Sequence, residues 1–193
     1  MKKATKLAIF DFDKTLTTRD STVVMAFYFA KRTKNYFYFL NFLIWGILYK
    51  FKCVSNKKTK NEFLKILKTL TREEIYNLVS DVYRFGIKNI LRENIVEELK
   101  RYRNNGYKTV LLSAQFDFII KEISDNLGFN YYIATRTDLD KLKVNGNIIE
   151  GQKKAEAIKF FFSDMDLKHS VAFVDNKKKD IFLEEVVGKL IWV

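Results

Sequence analysis

The sequence predicts an α/β fold: a mainly parallel sheet covered on both faces by helices, with an all-helical insertion after the first strand. Three observations carry this. The short apolar run from Lys6 to Phe10 stops at a polar cluster, as a buried strand does when it ends in a loop. Residues 17 to 105 then show no alternating strand pattern. Instead, apolar positions recur three and four apart in Asn61 to Leu70 and Arg72 to Phe85, the spacing of helices with one packed face. From Tyr107 onward strand-like and helix-like stretches alternate, which implies parallel strands joined by helical crossings.

The elements follow in order. Tyr107 to Leu112 reads as a strand. Phe118 to Asn126 reads as a helix, with Asp117 as its N-cap and Gly128 just past its end. Tyr131 to Thr135 is a further strand, and Leu142 to Ile149 is expected to form a hairpin turning at Asn145-Gly146, a dipeptide suited to two-residue turns. A helix over Lys153 to Ser163, a strand over Val171 to Val174, a short helix around Ile181 to Val186 and a last strand over Lys189 to Val193 complete the pattern. With no proline, repeat or low-complexity linker in the chain, the pattern changes near 17 and 105 set the boundaries: residues 1–16 and 106–193 as the core, 17–105 as the insertion.

A length of 193 residues suits one core with a modest insertion and excludes two large domains. With 48% hydrophobic residues the chain is not disordered. Lys and Arg number 35 against 23 Asp and Glu, a net charge of +12, which favours an anionic partner such as a phosphate ester, nucleic acid or acidic lipid surface. A lysine-rich solvated surface would give the same balance. The single cysteine, Cys53, rules out an intramolecular disulfide and fits a reducing cytosol, where a structural thiol is the default reading. Met1-Lys2-Lys3 starts like a signal peptide, but Asp11 and Asp13 interrupt the apolar run at once, so no secretion signal and a cytoplasmic setting are expected.

The sharpest chemical signal is Asp11-Phe12-Asp13-Lys14-Thr15-Leu16-Thr17, directly after the first strand. Ligands of parallel sheets collect beyond the carboxyl ends of strands. Two acids so close are costly unless a cation or a shared task compensates. One carboxylate can attack phosphorus while a second protonates the leaving oxygen and later activates water, and Mg²⁺ would offset their repulsion. A pair of acids that caps a loop or holds a structural ion fits the same residues.

This heptad resembles the first motif of the haloacid dehalogenase superfamily, and three further matches follow across nearly the whole chain. Val110-Leu111-Leu112-Ser113-Ala114 resembles the second motif, Gly151-Gln152-Lys153-Lys154 the third, and Val171-Ala172-Phe173-Val174-Asp175 with Asn176 and Asp180 the fourth. The resemblance implies a three-layer Rossmann-like core and a helical cap of the phosphoserine-phosphatase-like branch, as does Ala134-Thr135-Arg136 after the second motif. It implies a phosphatase with Asp11 as nucleophile, Asp13 as acid and base, and Ser113, Thr15 and Lys154 on the substrate phosphate. Lys154 is favoured over Lys153 because Lys-x-Glu-Ala-Ile over 154 to 158 fits the motif register. Mg²⁺ would be held by Asp11, Asp175 and the backbone carbonyl of Asp13, with Asp180 and Asn176 behind them, and Lys179 as another residue able to share that role. The sequence departs from the pattern at Val174 and Lys14, where many relatives carry glycine.

His169, the lone histidine, is expected to be a surface or satisfied residue, since the carboxylates already supply acid and base. Tyr36 to Phe51 is apolar on every side of a helix but too short to span a bilayer. Cap core or a dimer contact is expected there, ahead of a peripheral contact at the inner membrane face aided by Lys31, Arg32, Lys34, Lys50 and Lys52. The expected partner is a small phosphorylated molecule: an amino-alcohol or amino-acid phosphate, or a phosphorylated envelope-sugar precursor. The alternatives are a phospholipid such as phosphatidylglycerophosphate and, in a different class, a non-catalytic nucleic-acid-binding module, for which no recognition motif is evident.

Overall fold

The first strand, β1 (Leu7–Asp11), is buried along its whole length, because it lies at the centre of a sheet with both faces covered. The structure, a computed structural model, describes residues 5–193, so the Met1-Lys2-Lys3 start lies outside it. Among the described residues, five strands form the main sheet in the order β3-β2-β1-β6-β7, where β2 is Lys108–Phe116, β3 Tyr131–Thr135, β6 Val171–Val174 and β7 Lys189–Trp192. Every pairing in it is parallel. Alternate residues of β1 serve two cores: Ala8 and Phe10 join one apolar cluster, Leu7 and Ile9 the other. Phe10 stacks on Phe173 of β6, ring centres 4.6 Å apart. The chain builds outward from β1 to β2 and β3, then crosses back to β6. The crevice beyond the carboxyl end of β1 is therefore the point where strand order reverses, the usual ligand position of such sheets.

The chain leaves the core after Leu16 and returns at Leu91. The two crossings are tied by a bridge between Thr17 and Leu91 and by hydrogen bonds from Thr18 N to Ile90 O and Arg92 N to Leu16 O, both 2.8 Å. Between them lie α1 (Ser21–Thr33), α2 (Tyr36–Lys50), α3 (Asn56–Leu64) and α4 (Arg72–Val82). Ser55 caps α3 by accepting from Lys58 N, so that helix starts before the expected Asn61. Thr71 and Glu74 form a capping box on α4. The helix α5 (Glu93–Asn104) buries Ile95 and Leu99 against β1 and β2. It belongs with the sheet, so the expected return near residue 105 moves back to Leu91: a helix pattern alone does not say against which layer the helix packs.

Four further expectations change. The hairpin forms between β4 (Thr137–Asp138) and β5 (Lys143–Val144), not over Leu142 to Ile149. Asp138 Oδ1 accepts from Asp140 N and Lys141 N and holds the turn before Asn145-Gly146 is reached, and Gly146 (φ +79°) leads the chain out of the hairpin. The helix α6 (Asp117–Leu127) has Phe116 at its cap position, and the Asp117 carboxylate accepts only from adjacent Phe118 N. Gly128 ends α6 in the left-handed conformation, φ +73°, as expected. Beyond α7 (Gln152–Phe161) and β6, the expected short helix is a 3-10 turn over Ile181–Glu185. Lastly, α2 is not the core of the insertion. Only Phe42 on it is buried, because the few short helices around it provide no second layer for its outer side. Among the described residues no helix is long and apolar enough to cross a membrane.

Candidate active site

Asp11 closes β1 and sits at the mouth of the crevice, 7% exposed. The backbone then makes a wide turn in which Asp13 (φ −66°, ψ 127°) and Lys14 (φ +62°) depart from helical angles. That turn sends the two carboxylates to different partners. Asp13 Oδ1 accepts from Ser21 N at 2.7 Å, at the positive end of α1, while Asp11 faces Lys154. Lys14 takes the left-handed backbone that glycine adopts without strain, and its N–H is held by Thr17 Oγ1 at 3.1 Å.

Lys154, in the first turn of α7, is 4% exposed. Its Nζ lies 2.9 Å from Asp11 Oδ1 and 2.8 Å from Asp180 Oδ1. Lys153 is exposed and pairs with Glu156 on the same helix, so Lys154 is the lysine brought to the crevice. Asp180, 1% exposed, also accepts from Asn176 N at 3.2 Å through Oδ2. Both its oxygens therefore meet donors. The Asn176 side chain is occupied in its own turn, accepting from Lys178 N and Lys179 N. Asp175 follows β6 directly and remains half-buried.

Burial raises the Asp11 pKa from 3.8 to about 6, with Lys154 pulling it down and Asp180 pushing it up. Asp13 goes from 3.8 to about 7, through burial first and the negative charge of Asp20 second. Asp175 is raised by burial and by Asp180. Burial opposes the charge of Lys154, but the Asp11 and Asp180 carboxylates outweigh it and hold the ammonium protonated well above the usual range. Crowded acids that resist ionisation beside one buried cation mark a site built for charge transfer or for a second cation.

One oxygen from each of Asp11, Asp175 and Asp180 can be chosen so that all lie within 4.8 Å of one another. Hard carboxylate oxygens in this number suit Mg²⁺, which keeps several of its own waters. Asp180 already meets Lys154 and Asn176 N, so Asp11 and Asp175 are the carboxylates of the three left to face a cation, and they fit the ion.

These groups open on a cavity of about 390 Å³, the size of a small-molecule site. Ser113 borders it, nearly fully buried, with Oγ accepting from Gln115 N at 3.0 Å. Thr15 does not. It is fully buried, its Oγ1 meets no hydrogen-bond partner among the described residues, and it is absent from the cavity wall. His169 is exposed and bonded to Asp166 at 2.8 Å, away from the cavity. Cys53 is an exposed free thiol, not a buried structural one.

The insertion supplies the far wall with residues the sequence did not assign to a site. Phe42, Gly46 and Tyr49 come from α2, Thr59, Lys60 and Phe63 from α3. Burial lowers the Lys60 pKa from 10.5 to about 8, offset in part by Asp13, Asp20 and Glu150, and its ammonium lies 4.6 Å from the centre of the Phe116 ring. Across the mouth, Glu150 accepts from Asn56 Nδ2 at 3.0 Å and Lys179 Nζ at 2.8 Å. Gln115 Nε2 donates to Thr22 Oγ1 at 3.0 Å. In a chain this rich in lysine, no local pattern separates Lys60 from its solvated neighbours.

A family model described as haloacid dehalogenase-like hydrolase matches residues 8–177. No curated protein sequence matches the chain. Among solved structures, a protein of unknown function from Bordetella pertussis Tohama I is 20% identical with a TM-score of 0.84, covering 98% of this chain and 90% of its own. A substrate-bound phosphoserine phosphatase is 21% identical with a TM-score of 0.68, covering 99% and 87%. A phosphoserine phosphohydrolase-like protein from Francisella tularensis subsp. tularensis SCHU S4 is 19% identical with a TM-score of 0.60, covering 93% and 82%.

Proposed function

Because the chain belongs to the haloacid dehalogenase-like hydrolase family, we propose that it is a Mg²⁺-dependent phosphatase of small phosphomonoesters. The observation that carries this reading is the Lys154 ammonium, 2.9 Å from Asp11 and 2.8 Å from Asp180, on a cavity that Asp13 also lines. Asp11 attacks phosphorus and the bond to the leaving oxygen breaks. Asp13, whose raised pKa keeps a proton available near neutrality, gives that proton to the departing alkoxide. The resulting aspartyl-phosphate is then cleaved by water. Asp13, now a carboxylate, takes a proton from the water, the new oxygen bonds to phosphorus, and Asp11 is released with inorganic phosphate.

Lys154 holds Asp11 in place and offsets negative charge on the transferring group, and Asp180 orients Lys154. Ser113 is assigned to a phosphate oxygen. Asp11, Asp175 and the Asp13 carbonyl would hold Mg²⁺, whose chemistry is charge neutralisation of the phosphoryl oxygens. The insertion covers the cavity and excludes bulk water. Amino-alcohol, amino-acid or envelope-sugar phosphates are the proposed substrates, and the lone Cys53 supports a reducing, cytoplasmic setting.

Release of inorganic phosphate from p-nitrophenyl phosphate and a panel of alkyl phosphomonoesters, with and without Mg²⁺, tests the reading. Wild type should turn over only with the metal and Asp11→Asn should be inactive; full turnover by Asp11→Asn would overturn it.

A further inference from the structure

Among the described residues, helix α2 has protein against one side only. Phe42, Gly46 and Tyr49 line the cavity. Around the helix from them runs a second stripe, Phe37, Leu40, Ile44, Ile47 and Phe51, with exposures of 74, 58, 56, 56 and 73%. These positions recur three and four apart, the repeat that puts residues on one face of a helix. On α1, Val23 and Phe27 are also about half exposed, and the Phe27 ring lies 6.3 Å from that of Phe39 on α2. A continuous apolar face of this kind on a folded chain marks an interaction surface.

Charge says what covers it. Between Asp20 and Glu62 there is no acidic residue, while eight are Lys or Arg. Lys31, Arg32 and Lys34 stand exposed before the helix, Lys50 and Lys52 at its other end. Lys58 Nζ lies 5.0 Å from the ring centre of Trp45 on α2. An apolar stripe bracketed by cations complements a surface whose interior is hydrocarbon and whose rim is anionic. Lysine stems can follow the apolar side while their ammonium groups stay at headgroup level. A second copy of the chain fits poorly, since two-fold pairing sets like patches against each other and this segment has no acid to answer its own cations.

We propose that the exposed face of α2, extended by Val23 and Phe27, docks on an anionic lipid bilayer with the helix lying in the interface plane. Docking would bring one wall of the cavity within a helix diameter, about 10 Å, of the headgroups. The surface rests on its exposure and charge alone, whichever ester the cavity accepts.

Cosedimentation with vesicles of phosphatidylcholine containing about one third phosphatidylglycerol, against pure phosphatidylcholine, at about 0.15 M salt tests the proposal. The full chain should bind the anionic vesicles and leave the neutral ones. Ile44→Ser/Ile47→Ser and Lys50→Glu/Lys52→Glu should each weaken vesicle binding about tenfold or more. Thermal melting and hydrolysis of a soluble aryl phosphate should match wild type in both, since these side chains are exposed and none lines the cavity. Wild type that ignores anionic vesicles overturns the proposal. So does binding indifferent to the apolar pair, or a tight dimer in sedimentation that Ile44→Ser/Ile47→Ser splits.

Discussion

Lys154 on α7 and Asp11 at the end of β1 form a buried ion pair of 2.9 Å, and the same ammonium holds Asp180 at 2.8 Å. Removing one member of such a group strands the others without compensation. Lys154→Met should therefore lower stability by about 3–5 kcal/mol and phosphatase turnover by about 100-fold or more. Thermal melting with steady-state phosphate release measures both.

Asp13→Asn should separate esters by their leaving groups. An alkoxide needs a proton as it departs, so turnover of alkyl phosphates should fall about 100- to 10,000-fold. p-Nitrophenolate departs without one, so that substrate should show a burst of phenolate followed by slow hydrolysis of the phosphoenzyme. Absence of the phenolate burst, with the first phosphoryl-transfer step slowed equally on both substrates, would remove Asp13 from leaving-group protonation.

Metal-free stability should depend on pH in a direction set by the acids. Native Asp11 and Asp13, at about 6 and about 7, hold protons that the unfolded chain releases near 3.8. This contribution is complete below pH ~4 and is lost as pH rises through ~7. The melting temperature should fall across that window. Mg²⁺, which favours the carboxylate forms, should raise it more at pH 8 than at pH 5.

Lys60 brings the insertion's charge into the cavity. Lys60→Met should raise KM about tenfold for phosphomonoesters whose leaving group carries a second anion, with less effect on kcat and on p-nitrophenyl phosphate. Because its pKa is lowered to about 8, the preference for the anionic leaving group should fade as pH passes that value.

Much of this arrangement is legible in the chain itself. Apolar runs that end in Asp11 and Asp175 announce parallel strands with acids at their carboxyl ends, since a buried strand places whatever follows it at the sheet's edge. The register at residues 154 to 158 selects Lys154, which is buried where Lys153 is exposed. Gly128 past α6 needed only its own backbone freedom. The errors fall where a local signal met a distant partner. Asn145-Gly146 suits a hairpin turn, but Asp138 closes the turn first; α5 reads like any insertion helix but packs on the sheet.

The amino-acid order by itself determined the strand and helix pattern and the acidic ends of β1 and β6, because short-range periodicity and backbone preference govern both. Tertiary structure alone decided that Asp180 shares Lys154 with Asp11, that Lys60 reaches the cavity among many lysines, that Thr15 stays out of it, and that the outer side of α2 remains uncovered. Each depends on what stands opposite in space, and burial and pairing between residues far apart in the chain leave no periodic trace in its sequence.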